Sequence, residues 1–200
     1  NRIGASLNQN FDFDQTTLSA SFLVDTLDNT SFPKTGLNVE AYYNNNINFI
    51  GGDNRADSIQ VTSFAPFTWG RNTIGIRSQF YSTFSGIVDE ANLYPLGGFM
   101  NLSAFYGGQL TGHHAGSLSM IFYRNIAGGA RYLGETPIYI GGTIETGNIW
   151  QQSSDIGFDQ LRWSSSVFVG ADSIIGPIYL GGALGSKGET SIFLNIGQIF

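Results

Sequence analysis

Apolar and polar side chains alternate with a period of two along nearly the whole chain, the spacing of extended strands with one apolar and one polar face. Residues 2–13 place Ile3, Ala5, Leu7, Phe11 and Phe13 on one side and Arg2, Gly4, Ser6, Asn8, Asn10 and Asp12 on the other. A turn at Asp14-Gln15 leads to residues 17–27, where Leu18, Ala20, Phe22 and Val24 oppose Thr17, Ser19, Ser21 and Asp25, so the two segments read as a hairpin. Turn formers fill 28–36, and 37–49 then opposes Leu37, Val39, Ala41 and Tyr43 to Asn38, Glu40, Tyr42 and Asn44. The same alternation predicts strands over 57–69, 71–84, 116–126, 137–149, 164–173, 178–184 and 190–200, with Gly70 and Lys187-Gly188 at turns. No helical template fits. The count is about ten strands of roughly ten residues, the length that crosses a bilayer at a tilt.

The polar face carries Asp12, Asp25, Glu40, Arg77, Glu145 and Asp172 among Gly, Ser and Asn, while the opposite face is Ile, Leu, Val, Ala and Phe. Arg124 is the one strand charge on the apolar parity. Alternation by itself suits a soluble sandwich, apolar side inward, as well as a membrane barrel, apolar side outward. Composition separates them: only 12% of residues are charged, about half the usual share, which is too little to cover a water-facing surface. Strands about twice the usual five or six residues, and aromatics near strand ends at Phe13, Trp69, Phe84, Trp150 and Phe200, point the same way. The expected fold is therefore all-β, an antiparallel transmembrane β-barrel forming a single domain over residues 1–200.

Other classes drop out. The chain has no Cys, hence no disulfide, thiolate metal site or cysteine nucleophile. No apolar run is long enough for a spanning helix. A net charge of −6 argues against a nucleic-acid partner. No basic and apolar leader stands at Asn1, so the segment is expected to be mature or truncated. His113 and His114 are adjacent and point to opposite sides of an extended chain, a poor metal pair. Glu145 and Asp172 have no spacing that makes them a glycosidase pair, no Gly-X-Ser-X-Gly occurs, and the Gly-Gly pairs make no nucleotide fingerprint. The expectation is a protein that is not an enzyme and needs no cofactor or metal.

One stretch breaks the meander. Residues 85–115 form a long connection rich in glycine and aromatics, and Tyr94, Phe99, Phe105 and Tyr106 are costly to leave in water. The loop is expected to be ordered and folded back on the strands, with 101–105 inside the barrel.

The segment from Gly176-Pro177-Ile178-Tyr179-Leu180-Gly181-Gly182 through Leu194-Asn195-Ile196-Gly197-Gln198-Ile199-Phe200 resembles the last hairpin of the bacterial surface-antigen (D15-type) superfamily of outer-membrane barrels. Phe32-Pro33-Lys34-Thr35-Gly36 resembles that family's turn after an early strand, and Leu96-Gly97-Gly98-Phe99-Met100-Asn101-Leu102-Ser103-Ala104-Phe105 its sixth extracellular loop, more closely the version in barrels of patatin-like autotransporters. The resemblance implies Gly97, Gly98, Asn101, Leu102, Ser103, Ala104 and Phe105 as a lumen loop, and Gly197 and Phe200 as a C-terminal assembly signal. Where the family's insertases carry an arginine that locks this loop into the lumen, Ser103-Ala104-Phe105 stands here. Orientation follows from Phe200 at the periplasmic rim: 51–55, 85–115, 150–163 and 186–189 outside, and 28–36, Gly70 and Gly176-Pro177 in the periplasm.

The implied role is an outer-membrane anchor or translocation unit for display or secretion of an attached passenger; the alternatives are a small passive pore or a soluble β-sandwich binding module. Its partners would be outer-membrane lipids and the barrel-assembly machinery, and its location the bacterial outer membrane. Ile3, Leu7, Phe22, Val39, Ile76, Val169 and Ile196 are expected against lipid, and Asn8, Glu40, Arg77, Glu145 and Asp172 in the lumen. The family barrel has sixteen strands. A chain forming the C-terminal part of such a barrel, completed by missing strands or a second copy, is favoured over a stand-alone ten-stranded one, because about ten strands leave little room for the long loop.

Overall fold

A computed structural model describes residues 16–47, 57–85, 93–128 and 136–199. The expectations for Ile3, Leu7, Asn8, Asp12, Phe13 and Phe200 lie outside these residues. Nine strands form one antiparallel sheet: β1 (Thr16–Asp25), β2 (Asn38–Ile47), β3 (Asp57–Trp69), β4 (Asn72–Ser85), β7 (His114–Ala127), β8 (Ile138–Trp150), β9 (Arg162–Ser173), β10 (Gly176–Gly185) and β11 (Thr190–Ile196), in that spatial order. The connection from β4 to β7 holds a separate short hairpin of β5 (Tyr94–Leu96) and β6 (Leu110–Gly112). A single 3-10 turn, Ser153–Asp155, is the one helical element among the described residues. One continuous sheet is not a sandwich, which needs two sheets packed face to face.

The register explains why the alternation was readable. Phe22, Ala41, Val61 and Phe80 fall in one cross-strand row, and Arg124, Ile140, Val169, Leu180 and Leu194 in another. All these side chains share the outer face, where Phe67, Val167 and Ile192 are 70%, 71% and 86% exposed. The inner face holds most of the buried residues, the exceptions being His114, Asn148 and Trp150, which are buried on the outer parity where β7 begins and β8 ends. Ser119, Thr143, Glu145, Ser164, Ser166 and Asp172 lie on the inner face, each nine-tenths or more hidden from solvent. Val39, like Ala41 and Val61, is half-buried on the outer face.

Two departures from strict alternation matter. Ile121, on the polar parity of β7, is fully buried on the inner face, because the run Met120-Ile121-Phe122-Tyr123 is apolar on both sides. More consequential is the connection 26–37, expected as a plain turn between β1 and β2. Instead it folds into the barrel and buries Ser31, Phe32 and Pro33. Its backbone is held by short polar side chains, the local bonding that makes Asx turns. Asn29 Oδ1 accepts the Ser31 and Phe32 N–H groups at 2.6 and 3.1 Å, and Asp28 Oδ1 accepts those of Lys34 and Thr35 at 2.7 and 3.0 Å.

Phe32 then stacks on Tyr139, with centroids 3.9 Å apart and planes at 10°, and meets Tyr123 edge-on at 5.8 Å. The Tyr123 hydroxyl donates to Pro33 C=O, and that of Tyr179 to Ser31 C=O at 2.6 Å. A Cβ on Gly170 would sit 2.6 Å from the Phe32 ring, so β9 carries glycine where the ring crosses it. The main core cluster is thus on the inner face: Phe32, Phe64, Met100, Ile121, Tyr123, Tyr139, Phe168 and Tyr179. Opposite, the inner face at β1 is uncovered, and Leu23, which pairs with Glu40, is 62% exposed.

Candidate functional site: a loop docked on the inner wall

After β5, Gly97 and Gly98 adopt φ of 125° and 99° and turn the chain inward. A chain of tight turns follows, with Asn101 N–H bonded to Gly98 C=O and Phe105 N–H to Leu102 C=O, each at 2.9 Å, while Gly98 N–H closes on Phe105 C=O, also at 2.9 Å. Met100 and Leu102 take φ of 62° and 66°, the left-handed region that costs a residue with a Cβ roughly 1–2 kcal/mol. Such a conformation persists where the surroundings over-determine it, and here they do.

Ser103 is the centre of that determination. Its N–H donates to Glu145 Oε2, its hydroxyl donates to Glu145 Oε1 at 2.5 Å, and the same hydroxyl accepts Met100 N–H at 3.0 Å. Thr143 Oγ1 also donates to Glu145 Oε1, at 2.5 Å. Because that uses the one Thr143 hydroxyl hydrogen, Ser166 must be the donor across the 2.7 Å contact with Thr143. Three donors therefore converge on a carboxylate that is 1% exposed. Hydrogen bonds of this charge-assisted kind are about twice as strong as neutral ones.

Serines of neighbouring strands tie down the rest. Ala104 N–H donates to Ser164 Oγ at 2.9 Å, Ser191 Oγ donates to Ser103 C=O at 2.5 Å, Ser119 Oγ donates to Met100 C=O at 3.1 Å, and Ser117 Oγ lies 3.2 Å from Asn101 Oδ1. Apolar burial completes the seat: Leu102, Ala104 and Phe105 pack with Leu96 and Ala183, and Phe99 stacks on Phe193 at 4.3 Å between centroids. Arg162 lies 5.5 Å from the Phe105 centroid, above its ring.

The other charges singled out in the sequence do not join this cluster. Asp172 is buried on β9, but it lies eight residues beyond Ser164, the Glu145 partner, so the two carboxylates are roughly 25 Å apart along the strand. Glu40 accepts a 3.3 Å bond from Tyr42. Arg77, on β4, donates to the Ile199 carbonyl at 2.8 Å. That contact exists because the chain leaves the sheet after Ile196: Gly197, at φ 120°, bonds Pro177 C=O through its N–H at 2.9 Å, and Ile199 packs against the inner core. His114 Nδ1 lies 2.9 Å from Ser82 Oγ, and no group of three or more metal-binding side chains occurs among the described residues. The serines and Thr143 that seat the loop were legible as polar-face residues, but nothing in their spacing marked them as its anchors.

No family model and no curated protein matches the sequence. In structure, the chain is similar to BamA from Haemophilus ducreyi lacking POTRA domains 1–3, with a TM-score of 0.74 at 15% identity. The match covers 89% of this chain and 41% of that one. The fold is accordingly the antiparallel β-barrel of the BamA type, of which this chain spans about two fifths of the neighbour's length.

Proposed function

We propose that this chain is an integral outer-membrane β-barrel unit of the surface-antigen kind, serving as anchor and translocation unit for an attached passenger polypeptide. The observation that carries the membrane reading is the inside-out distribution of side chains. Leu18, Phe22, Phe67, Val167, Leu180, Ile192 and Leu194 are all more than half exposed on the outer face, while a carboxylate and a row of hydroxyls are buried on the inner one. An apolar exterior of that extent is untenable in water and is the ordinary exterior of a barrel in lipid.

Supporting the anchor role are the BamA-type fold and a loop held on the inner wall through Ser103 and Glu145. The passive-pore alternative loses ground because two inward segments, 31–33 and 97–105, fill the interior along β7–β11. The reading is tested by fusing a reporter domain ahead of the chain and scoring its protease sensitivity on intact cells, alongside heat-modifiable migration of the barrel. A reporter degraded from outside, with a folded barrel in the outer-membrane fraction, is the expected result. A reporter protected until the outer membrane is permeabilised would end the translocation reading; recovery of the chain in the soluble fraction would end the membrane reading.

A further inference from the structure

The two inward segments enter from opposite ends of the sheet. Residues 26–37 connect β1 to β2 at the end where β1 finishes, and the 97–105 loop lies in the connection from β4 to β7, where β4 finishes. Since β1 and β4 run antiparallel through β2 and β3, these ends are opposite. Yet both segments rest on one side chain. Tyr179 of β10 is fully buried, donates its hydroxyl to Ser31 C=O at 2.6 Å, and has the Phe32 ring at 5.1 Å and the Phe99 ring at 5.4 Å between centroids. Phe168 adds a second path, edge-on to Phe99 at 5.1 Å and to Tyr179 at 5.9 Å. Met100, from the loop, belongs to the same cluster as Phe32.

We propose that the 31–33 turn and the 97–105 loop form a single two-ended plug with Tyr179 as its shared joint, so that withdrawal of the turn at one end releases the loop at the other. The physical basis is discrete packing. The Tyr179 ring is held by the turn on one side and the loop on the other, and an interior packed to crystal-like density has no intermediate arrangement to fall back on when one support leaves. The turn is also the weaker of the two segments. Its inner anchors are the buried Phe32 and Pro33 rings and three carbonyl acceptors, bonded only by neutral hydroxyls, against a loop with a carboxylate and four serines behind it. A polypeptide or domain that engages the β1–β2 end would therefore loosen the loop at the far end without touching it, and by linkage anything that pulls the loop free would loosen the turn.

The chain has no cysteine, so a single introduced thiol reports one place. In the full chain folded in detergent, maleimide labelling of Ala104→Cys, a position 3% exposed, reads the loop, and labelling of Ser31→Cys, 4% exposed, reads the turn. Phe32→Ala and the milder Tyr179→Phe, which removes one hydroxyl and leaves the ring, are each expected to raise Ala104→Cys labelling about fivefold or more, and Phe99→Ala to raise Ser31→Cys labelling by a comparable factor. Heat-modifiable migration confirms that the barrel stays folded. Should Phe32→Ala expose Ser31→Cys while Ala104→Cys labelling stays within twofold, the two segments are independent and the proposal fails. It fails equally if labelling rises only in variants whose heat-modifiable migration is lost, with Tyr179→Phe silent.

Discussion

Replacing Glu145 tests how the loop is held, because the carboxylate accepts two bonds from the loop itself and one from the wall. Hydrogen bonds to a charged group contribute about 1.5–3 kcal/mol each. Glu145→Gln keeps the shape. Its carbonyl still accepts Ser103 N–H, but its amide hydrogens face the Ser103 and Thr143 hydroxyls, which must rotate to become acceptors, and every bond is now neutral. A loss of about 1–2 kcal/mol follows, since neutral bonds are roughly half as strong. Glu145→Ala removes the acceptor altogether and strands the Ser103 N–H, which cannot rotate away. The expected loss is about 3 kcal/mol, from two charge-assisted bonds less partial rescue of the hydroxyls.

The loop stays docked in both variants, because Met100, Leu102 and Phe105 remain buried and contribute about 1.5–3 kcal/mol each. What changes is how often it opens. Amide hydrogen exchange at 102–105 is expected to accelerate about tenfold in Glu145→Gln and about a hundredfold in Glu145→Ala, at tenfold per 1.4 kcal/mol. Protection in β9 and β10 should stay unchanged. Equal acceleration in the two variants, or none, would refute the account of Glu145 as the principal anchor, and acceleration spread over the strands would mean that the carboxylate supports the barrel rather than the loop.

Gly170→Ala should destabilise the folded barrel by about 1–3 kcal/mol, because a Cβ there meets the Phe32 ring at 2.6 Å; pairing it with Phe32→Leu should recover part of the loss in a urea-unfolding midpoint, and no recovery would show that the clash is not with that ring. Val169→Arg, on the outer face, is expected to cost about 2–4 kcal/mol near the bilayer midplane, measured by folding into lipid vesicles, and a neutral result would mean that this face does not meet lipid.

The strands were legible because each obeys one local rule. β3 runs from Asp57 to Trp69 in both the alternation and the structure, and β4 differs from its expected span by one residue at each end. The alternation also separated the faces, since an inner Glu145 or Asp172 and an outer Val169 or Leu180 differ in parity alone. What it did not carry was the direction of the connections. The segment 28–36 has one apolar side chain, Phe32, among turn formers, and a single ring has no period from which to read a destination. Its seat on Tyr123, Tyr139 and Tyr179 depends on residues some 90 to 150 positions away. The left-handed backbone at Met100 and Leu102 is similarly hidden, because those residue types disfavour it and the Ser103 that braces it is itself held by hydroxyls and a carboxylate of distant strands. Phe67, Trp69 and Phe84, by contrast, announced the outer face directly, being large, apolar and near strand ends.

Closure of the ring turns on interior volume. A barrel's diameter grows roughly linearly with strand number, so a sheet that closed on nine or ten strands would enclose less room than a wider barrel. An eight-stranded barrel is filled by its own side chains, whereas this one admits Phe32 from one end and Phe99 through Phe105 from the other and still leaves Leu23 on the inner face 62% exposed. The strand expected over 2–13 and β11 are therefore expected to pair with further strands rather than with each other. Cysteines at Leu7 and Leu194, both on the outward parity and scanned two residues either way, should fail to form an intramolecular disulfide in the folded full chain. An efficient cross-link within one chain at any of these positions would place the first expected strand beside β11 and close the barrel at about ten strands, and the volume argument would then be wrong.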